Sequence, residues 1–407
     1  MSTLSSQVRL IVDGQEYGGW KSVRIEAGIE RQARSFNLQV TARWPGQTDI
    51  PRRIRPFDTC QIYIGNDLVL TGYVDSTPIQ YDATAVSVGV SGRSKTADLV
   101  DCCPIEAGRP SSAAAGNWSN VIGADGSKGT PVTPPAKTAN QWSNIKLETI
   151  AAALAAPYGV RVVTEVDTGR VIPDHQIQPG ETVFECIDRM MRLRHVLSTD
   201  NARGDLVFIE VGSTGRATTA LELGKNVLSG SAGLDFSGVF SEYVVKGQRA
   251  GNDEQFGPAV AEQEATASDA TEEGGQAITR DSRARRRRVL VIRQSGQADE
   301  GTCADRAKYE KAYRSAKALE TTYVVNGWRQ ENGQLWLPNL LVQVRDHVIG
   351  FDMEMVIAEC AWIMDADGQR TELIVGPVDG YQSRAAKPGR AAKKGTSAGP
   401  DWSEVKR

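Results

Sequence analysis

A chain of 407 residues is longer than one hydrophobic core usually organises, and a prior of about 150 residues per domain gives two to four domains. Hydrophobic content of 40%, charged content of 24% and a formal charge of −3 fit a globular protein and exclude a global electrostatic pull toward nucleic acid or an anionic membrane, so any such attraction must be local. No apolar run reaches the roughly 18 residues of a spanning helix, and Met1–Ser6 leads straight into a strand pattern; no signal peptide, anchor or stable membrane insertion is expected, and synthesis and folding in a cytoplasm are.

Six short alternating segments fill residues 7–93: Gln7–Val12, Val23–Glu26, Phe36–Thr41, Thr59–Ile64, Leu68–Tyr73 and Ala85–Ser91. Turn residues such as Asp13-Gly14 and Gly65-Asn66-Asp67 separate them, and this density predicts a small barrel or sandwich over residues 1–102. Gly92–Thr96 lacks the spacing of a phosphate loop, and Ser94–Val100 is expected to form a short helix at the end of these strands. Residues 103–144 turn to Pro, Gly, Ser, Ala and Thr, a loop-rich connector with Trp118 and Trp142 as isolated anchors. Residues 145–211 read as a compact α+β insert. Leu147, Ile150 and Leu154 share one helical face, Val160–Thr164 follows as a strand, and Thr182 with Glu185 forms a capping box ahead of Val183, Ile187 and Met190.

Residues 212–382 are predicted to be a second barrel-like β domain. It begins with a strand region over Phe236–Gly247, then loses periodicity. Over residues 252–282 eight acidic residues face Arg280 alone, which predicts a disordered loop at 251–282 because such a segment cannot offset its ordering entropy by burial. The loop ends in Arg283, Arg285, Arg286, Arg287 and Arg288, ahead of the strand Val289–Ile292. These arginines are candidate contacts to nucleic acid, a solvated loop edge, or partners of the acidic run. A helix over 305–320 sets Ala312 and Ala316 on one stripe, where small side chains permit close approach to a sheet or to a neighbouring subunit. An antiparallel meander spans Thr321–Val378, turning at Asn332-Gly333 and Asp367-Gly368, with Met353–Ile363 apolar on both faces. Residues 383–407 form a basic tail that is expected to be disordered.

Parts for chemistry are scarce. The six cysteines show no metal-binding spacing, and His175, His195 and His347 have no candidate co-ligand near them in sequence. Carboxylates such as Asp346, Glu354, Glu359 and Glu372 follow no motif. No catalytic, cofactor-binding or metal site is expected, and the chain is read as a non-enzyme.

Several segments carry a resemblance: Pro56-Phe57-Asp58, Gly72-Tyr73-Val74-Asp75, the run Ser91–Asp101, Gly180-Glu181-Thr182, Gly327-Trp328 and Leu335–Asn339. Together they resemble the baseplate hub protein of Mu-like contractile-tailed phages, the family related to late control protein D, with the serine-to-aspartate run the most specific. The resemblance implies a β-rich α+β fold: two barrel-like antiparallel β domains with smaller α/β insert domains, assembled as a homotrimeric ring. It implies a virion location in the tail baseplate after assembly in the host cytoplasm. The implied partners are the tail tube, which meets quasi-sixfold symmetry, the threefold central spike, other baseplate proteins, and phage DNA in passage. Arg283 and Arg285–Arg288 are then candidates for the lumen or its rim, and Ala312 and Ala316 for a subunit contact. The chain carries no spike-like β-helix repeat. Two other readings stay open on residues alone: a tail-associated cell-wall hydrolase, and an OB-like module for nucleic acid or carbohydrate supported by Arg285–Arg288 and the tryptophans.

Overall fold

The computed structural model describes residues 7–41, 54–81, 86–105, 129–135, 139–194, 196–248, 263–268, 286–297 and 300–381. They divide into two compact units. The first comprises residues 1–230, 322–343 and 356–374; the second comprises residues 231–321, 344–355 and 375–407.

The first unit opens with eight strands: β1 (Val8–Val12), β2 (Gln15–Tyr17), β3 (Ser22–Gly28), β4 (Ser35–Thr41), β5 (Thr59–Ile64), β6 (Asp67–Ser76), β7 (Ile79–Tyr81) and β8 (Val86–Ser94). Strict alternation in β1 and β5 sends Leu10, Val12, Ile62 and Ile64 inward, and β3 and β4 add Val23, Ile25, Phe36 and Leu38. Asp13 at φ 49° and Gly14 at φ 79° supply the two left-handed residues that tighten the β1–β2 hairpin. Gly72 and Gly92 let β6 and β8 close on each other: a Cβ on Gly92 would lie 2.1 Å from the Tyr73 carbonyl, and one on Gly72 would lie 1.9 Å from that of Arg93. Helix α1 (Ala97–Asp101) follows β8, as its sequence predicts.

The insert in the same unit contains β9 (Thr130–Pro131), β10 (Gln141–Ile145), α2 (Leu147–Ala155), β11 (Val162–Thr164), β12 (Ile172–Gln176), α3 (Val183–Arg194), β13 (Leu197–Asp200) and β14 (Leu206–Ile209). The four-stranded sheet β13-β14-β11-β9 has β11 parallel to β14, while β10 and β12 pair as an antiparallel ribbon. Leu147, Ile150 and Leu154 on α2 and Val183, Ile187 and Met190 on α3 pack into one core with Trp142, Leu206 and Phe208. The capping box forms: the Glu185 amide donates to Thr182 Oγ1 at 3.1 Å, and the Thr182 amide donates to Glu185 Oε2 at 2.8 Å. Within the expected loop-rich connector, β9 and β10 are short strands.

The remaining elements are β15 (Gly215–Arg216), β16 (Leu221–Glu222), β17 (Val227–Ala232), β18 (Glu242–Gln248), β19 (Gln263–Ser268), β20 (Val289–Gln297), α4 (Glu300–Lys317), β21 (Thr321–Asn326), β22 (Leu340–Asp346), β23 (Phe351–Asp365) and β24 (Gly368–Pro377). In the first unit, β23 pairs antiparallel with β3, Trp362 opposite Ile25 and Cys360 opposite Ala27. One sheet therefore follows the path β17-β21-β24-β23-β3-β4-β8-β6-β5-β1-β2. The expected β-rich architecture with large antiparallel sheets is present, while its barrel-like detail is not seen. Among the described residues the path is open, with β17 and β2 at its ends, and no closed barrel is found. The two-sided apolar pattern of β23 announces a buried strand, but its partner lies more than three hundred residues earlier and leaves no local trace.

In the second unit, β18 is central, antiparallel to β19 and parallel to β20. Tyr243, Val245, Cys303 and Ala307 form its small core, backed by Phe240, Leu290 and Ile292. Strand β19 lies inside the acidic stretch expected to be disordered. Backbone pairing to six residues of β18, from Glu242 to Gly247, gives the segment order without requiring apolar side chains. The other residues of 251–282, and the basic tail, lie outside the described residues.

Candidate assembly site

His175 on β12 and Cys186 on α3 stand eleven positions apart yet meet inside the insert, with Nε2 and Sγ 3.2 Å apart. Burial, aided by Glu181, pushes the Cys186 thiol up to about 12, and burial together with Arg189 pushes His175 below its usual value. The pair therefore holds a neutral thiol against a neutral imidazole, the opposite of an activated nucleophile. His347 is exposed at the β22–β23 turn and His195 lies outside the described residues. Among the described residues no group of three His, Cys, Asp or Glu side chains is placed to hold a metal ion.

The serine-to-aspartate run turns out to be a joint. Arg93 reaches Asp75 from Nε at 2.9 Å and Asp101 from Nη2 at 2.5 Å, tying β8 to β6 and α1; its guanidinium is held above its usual value chiefly by the bond to Asp101. One step along, Ser94 Oγ accepts from the Arg34 amide at 3.1 Å and lies 2.9 Å from Thr96 Oγ1. The Arg34 side chain crosses to the insert, where Nε meets Asp200 Oδ1 at 3.2 Å, Nη2 reaches the Asp200 carbonyl and Nη1 donates to the Val69 carbonyl at 2.8 Å. Asp200 Oδ2 also accepts from the Arg34 amide at 2.9 Å. Beside this, Thr199 Oγ1 donates to the Gly28 carbonyl and Gln32 bonds Ser198. Burial raises the Asp200 carboxyl against the opposing pull of Arg34. The N-terminal strands and the insert are thus locked together by polar contacts between residues far apart in sequence. Asp200 and Arg34 carry no motif, and nothing in their local sequence pairs them.

The predicted basic site is placed differently. Arg283 and Arg285 lie outside the described residues, and Arg286 is exposed. Arg287 pairs with Glu242 at 3.1 Å. Arg288 is committed to its own chain: it donates to the carbonyls of Phe236, Ser237 and Val239 and stacks over the Phe240 ring at 4.6 Å. A guanidinium satisfied by three carbonyls fixes the loop before β18 and has little left for a passing ligand. The helix that carries the candidate subunit contact, Ala312 and Ala316, also meets its own chain. Ala316 is buried, and a Cβ on Gly380 would fall 1.8 Å from its own Cβ and 3.3 Å from the Ala312 carbonyl, so the small-residue face of α4 is filled by the turn Val378–Gly380 of the same chain. Small side chains predict close approach correctly but do not name the approaching segment. The helix itself runs Glu300–Lys317, beginning and ending earlier than the expected 305–320.

Comparison with known proteins gives this geometry a setting. Residues 7–94 match the N-terminal domain of Mu phage baseplate assembly protein GpP-like proteins, residues 134–210 the second domain of baseplate hub protein gp44-like proteins, and residues 300–384 the fourth domain of Mu phage baseplate assembly protein GpP. The chain is 31% identical over 405 residues to baseplate hub protein gp44 of Escherichia phage Mu, covering 97% of this chain and 94% of that protein. Its fold matches the 43 kDa tail protein of prophage MuSo2 from Shewanella oneidensis with a TM-score of 0.72 and 28% identity, over 93% of this chain and 99% of that one. The tail protein from Neisseria meningitidis MC58 shares the fold at a TM-score of 0.70 and 19% identity, over 93% and 98% of the two chains.

Proposed function

Since this chain belongs to the family of the Mu phage baseplate hub protein, we propose that three copies of it form a ring that adapts the tail tube to the central spike. Its role as a structural hub component of a virion tail baseplate follows from family membership across nearly the whole length. The finer reading adds a homotrimer, a quasi-sixfold face toward the tube built from two β regions per chain, a threefold face toward a separate spike, contacts to other baseplate proteins, and a lumen through which DNA passes. Closed cyclic symmetry is the usual outcome of head-to-tail contacts between identical chains.

The single observation that carries this reading is the fused architecture of the first unit. Strands β3 and β23 pair, and Arg34–Asp200 fastens the insert to the N-terminal strands, so the unit is built to transmit load rather than to open around a substrate. A non-enzymatic role fits the His175–Cys186 pair, which is set in two neutral forms. Reconstruction of purified tails tests the proposal: hub density should show three copies of this fold around the tail axis, each touching tube and spike.

A further inference from the structure

Cys102 and Cys103 stand side by side where α1 ends and the chain leaves the N-terminal strands for the insert. Cys103 is exposed and Cys102 half-buried, whereas the other four cysteines are buried. The backbone of the pair is held at three points. The Cys102 amide donates to the Asp98 carbonyl at 3.0 Å, the Cys102 carbonyl accepts from the Val183 amide at 2.8 Å, and the Tyr158 hydroxyl donates to the Cys103 carbonyl at 2.5 Å. Val183 opens α3, where an amide has no partner within its own helix, so the Cys102 carbonyl supplies one from the end of α1. Both sulfurs lie within electrostatic reach of a single hydroxyl: burial first, then Cys102 and Cys103, hold Tyr158 above its usual value. Burial, then Asp98, Asp101 and the neighbouring Cys103, likewise hold the Cys102 thiol up.

We propose that Cys102 and Cys103 are a thiol switch, which a low-molecular-weight disulfide closes into a vicinal disulfide and whose closure releases the start of α3 from the end of α1. The exposed Cys103 thiolate attacks one sulfur of the reagent, breaking its S–S bond and expelling a first thiolate; the Cys102 thiolate then attacks Cys103 Sγ and expels the second. The two cysteine protons end on the two released thiols, so the dithiol is oxidised by two electrons and the reagent is reduced by two. Closure cannot leave the backbone as it stands. Cys102 is extended at ψ 149°, which sets the two side chains on opposite sides of the chain. Adjacent Cα atoms are also only about 3.8 Å apart, closer than the roughly 4.4–6.8 Å of a relaxed disulfide. Pro104 keeps Cys103 out of the helical region, so the peptide between the cysteines takes the turn and carries the Cys102 carbonyl off the Val183 amide. The same strain makes the bond easy to reduce, which suits a reversible switch. A virion component passes from a reducing cell interior to oxidising surroundings and meets both conditions, while the thiol chemistry itself does not depend on the hub reading.

The test uses the full-length chain. It is treated with glutathione disulfide at pH 8, remaining thiols are blocked with N-ethylmaleimide, and the tryptic peptide Thr96–Lys128, whose only cysteines are this pair, is weighed. The expected peptide is lighter than the reduced one by two hydrogen atoms, carries no glutathione, and returns to the dithiol with dithiothreitol. Cys102→Ser should instead retain glutathione on Cys103. Hydrogen exchange at the Val183 amide should be at least about tenfold faster in the closed form than in the reduced form, whereas exchange at Glu185, whose amide is held by Thr182, should change less than about twofold. A lasting glutathione adduct on the unsubstituted chain, both thiols still open to N-ethylmaleimide, a bond from either cysteine to a third, or unchanged exchange at Val183 in the closed form would overturn the switch and leave the hub reading intact.

Discussion

Arg34 and Asp200 stand 166 positions apart and form an ion pair in the interior of the first unit, where Asp200 is 3% exposed and Arg34 8%. Such a pair is a registration device: its attraction is largely spent on desolvation, but a broken pair leaves a buried charge without its counter-charge. Replacing Arg34 with Met should cost about 3–5 kcal/mol of unfolding free energy. Replacing both residues, Arg34→Met with Asp200→Leu, should cost less than the sum of the single changes. Chemical denaturation of the four proteins in a double-mutant cycle measures the difference.

Asp200 also gives the fold a pH signature. Its carboxyl is raised by burial, so the folded state binds that proton more tightly than the unfolded chain does. Its contribution is fully present below the unfolded carboxyl value, near about 3.9, and is lost as pH rises through the folded value. The melting temperature of the unsubstituted protein minus that of Asp200→Asn should therefore fall between pH 4 and pH 7. The other carboxylates cancel in this difference, so a rise would contradict the assignment.

The cysteines sort by surroundings. Cys103 is exposed, whereas Cys60, Cys186, Cys303 and Cys360 are buried, and burial raises the thiols of Cys60, Cys186 and Cys360. Brief iodoacetamide treatment of the folded protein at pH 8 should modify Cys103 at least tenfold faster than any of these four, read by peptide mass mapping. Rapid labelling of Cys186 would contradict the buried neutral pair with His175.

What the sequence made legible was local. The capping box is a four-residue pattern whose partners are neighbours in the chain, and Leu147, Ile150 and Leu154 declare a helix face by spacing alone. Arg34 and Asp200 could not be paired in this way, because each sits on a different segment and only the fold brings them together. The same holds for Trp362 opposite Ile25, for Cys186 beside His175, and for β19, which borrows order from β18 despite a composition that favours disorder. Ala316 was recognised as a point of close approach, but the segment that fills it, Gly380, follows from chain topology.

Two local features predict stability changes. Thr182→Ala removes the side-chain acceptor for the Glu185 amide at the start of α3 and should cost about 1 kcal/mol. Thr182→Ser keeps the acceptor and should cost less, as denaturant midpoints at constant m would show.

Gly380→Ala places a methyl group 1.8 Å from Ala316 Cβ and should loosen the turn Val378–Gly380 from α4. Such overpacking costs about 1–3 kcal/mol, and Ala316→Gly in the same chain should restore part of it. Failure of the second change to compensate would mean that the contact is not the source of the loss.

The proposed symmetric hub is measured most directly by an electron-microscopy reconstruction of purified tails without imposed symmetry. Three copies of this fold in one ring are expected, with tube on one side and spike on the other. Six copies, or a single copy off the tail axis, would contradict it.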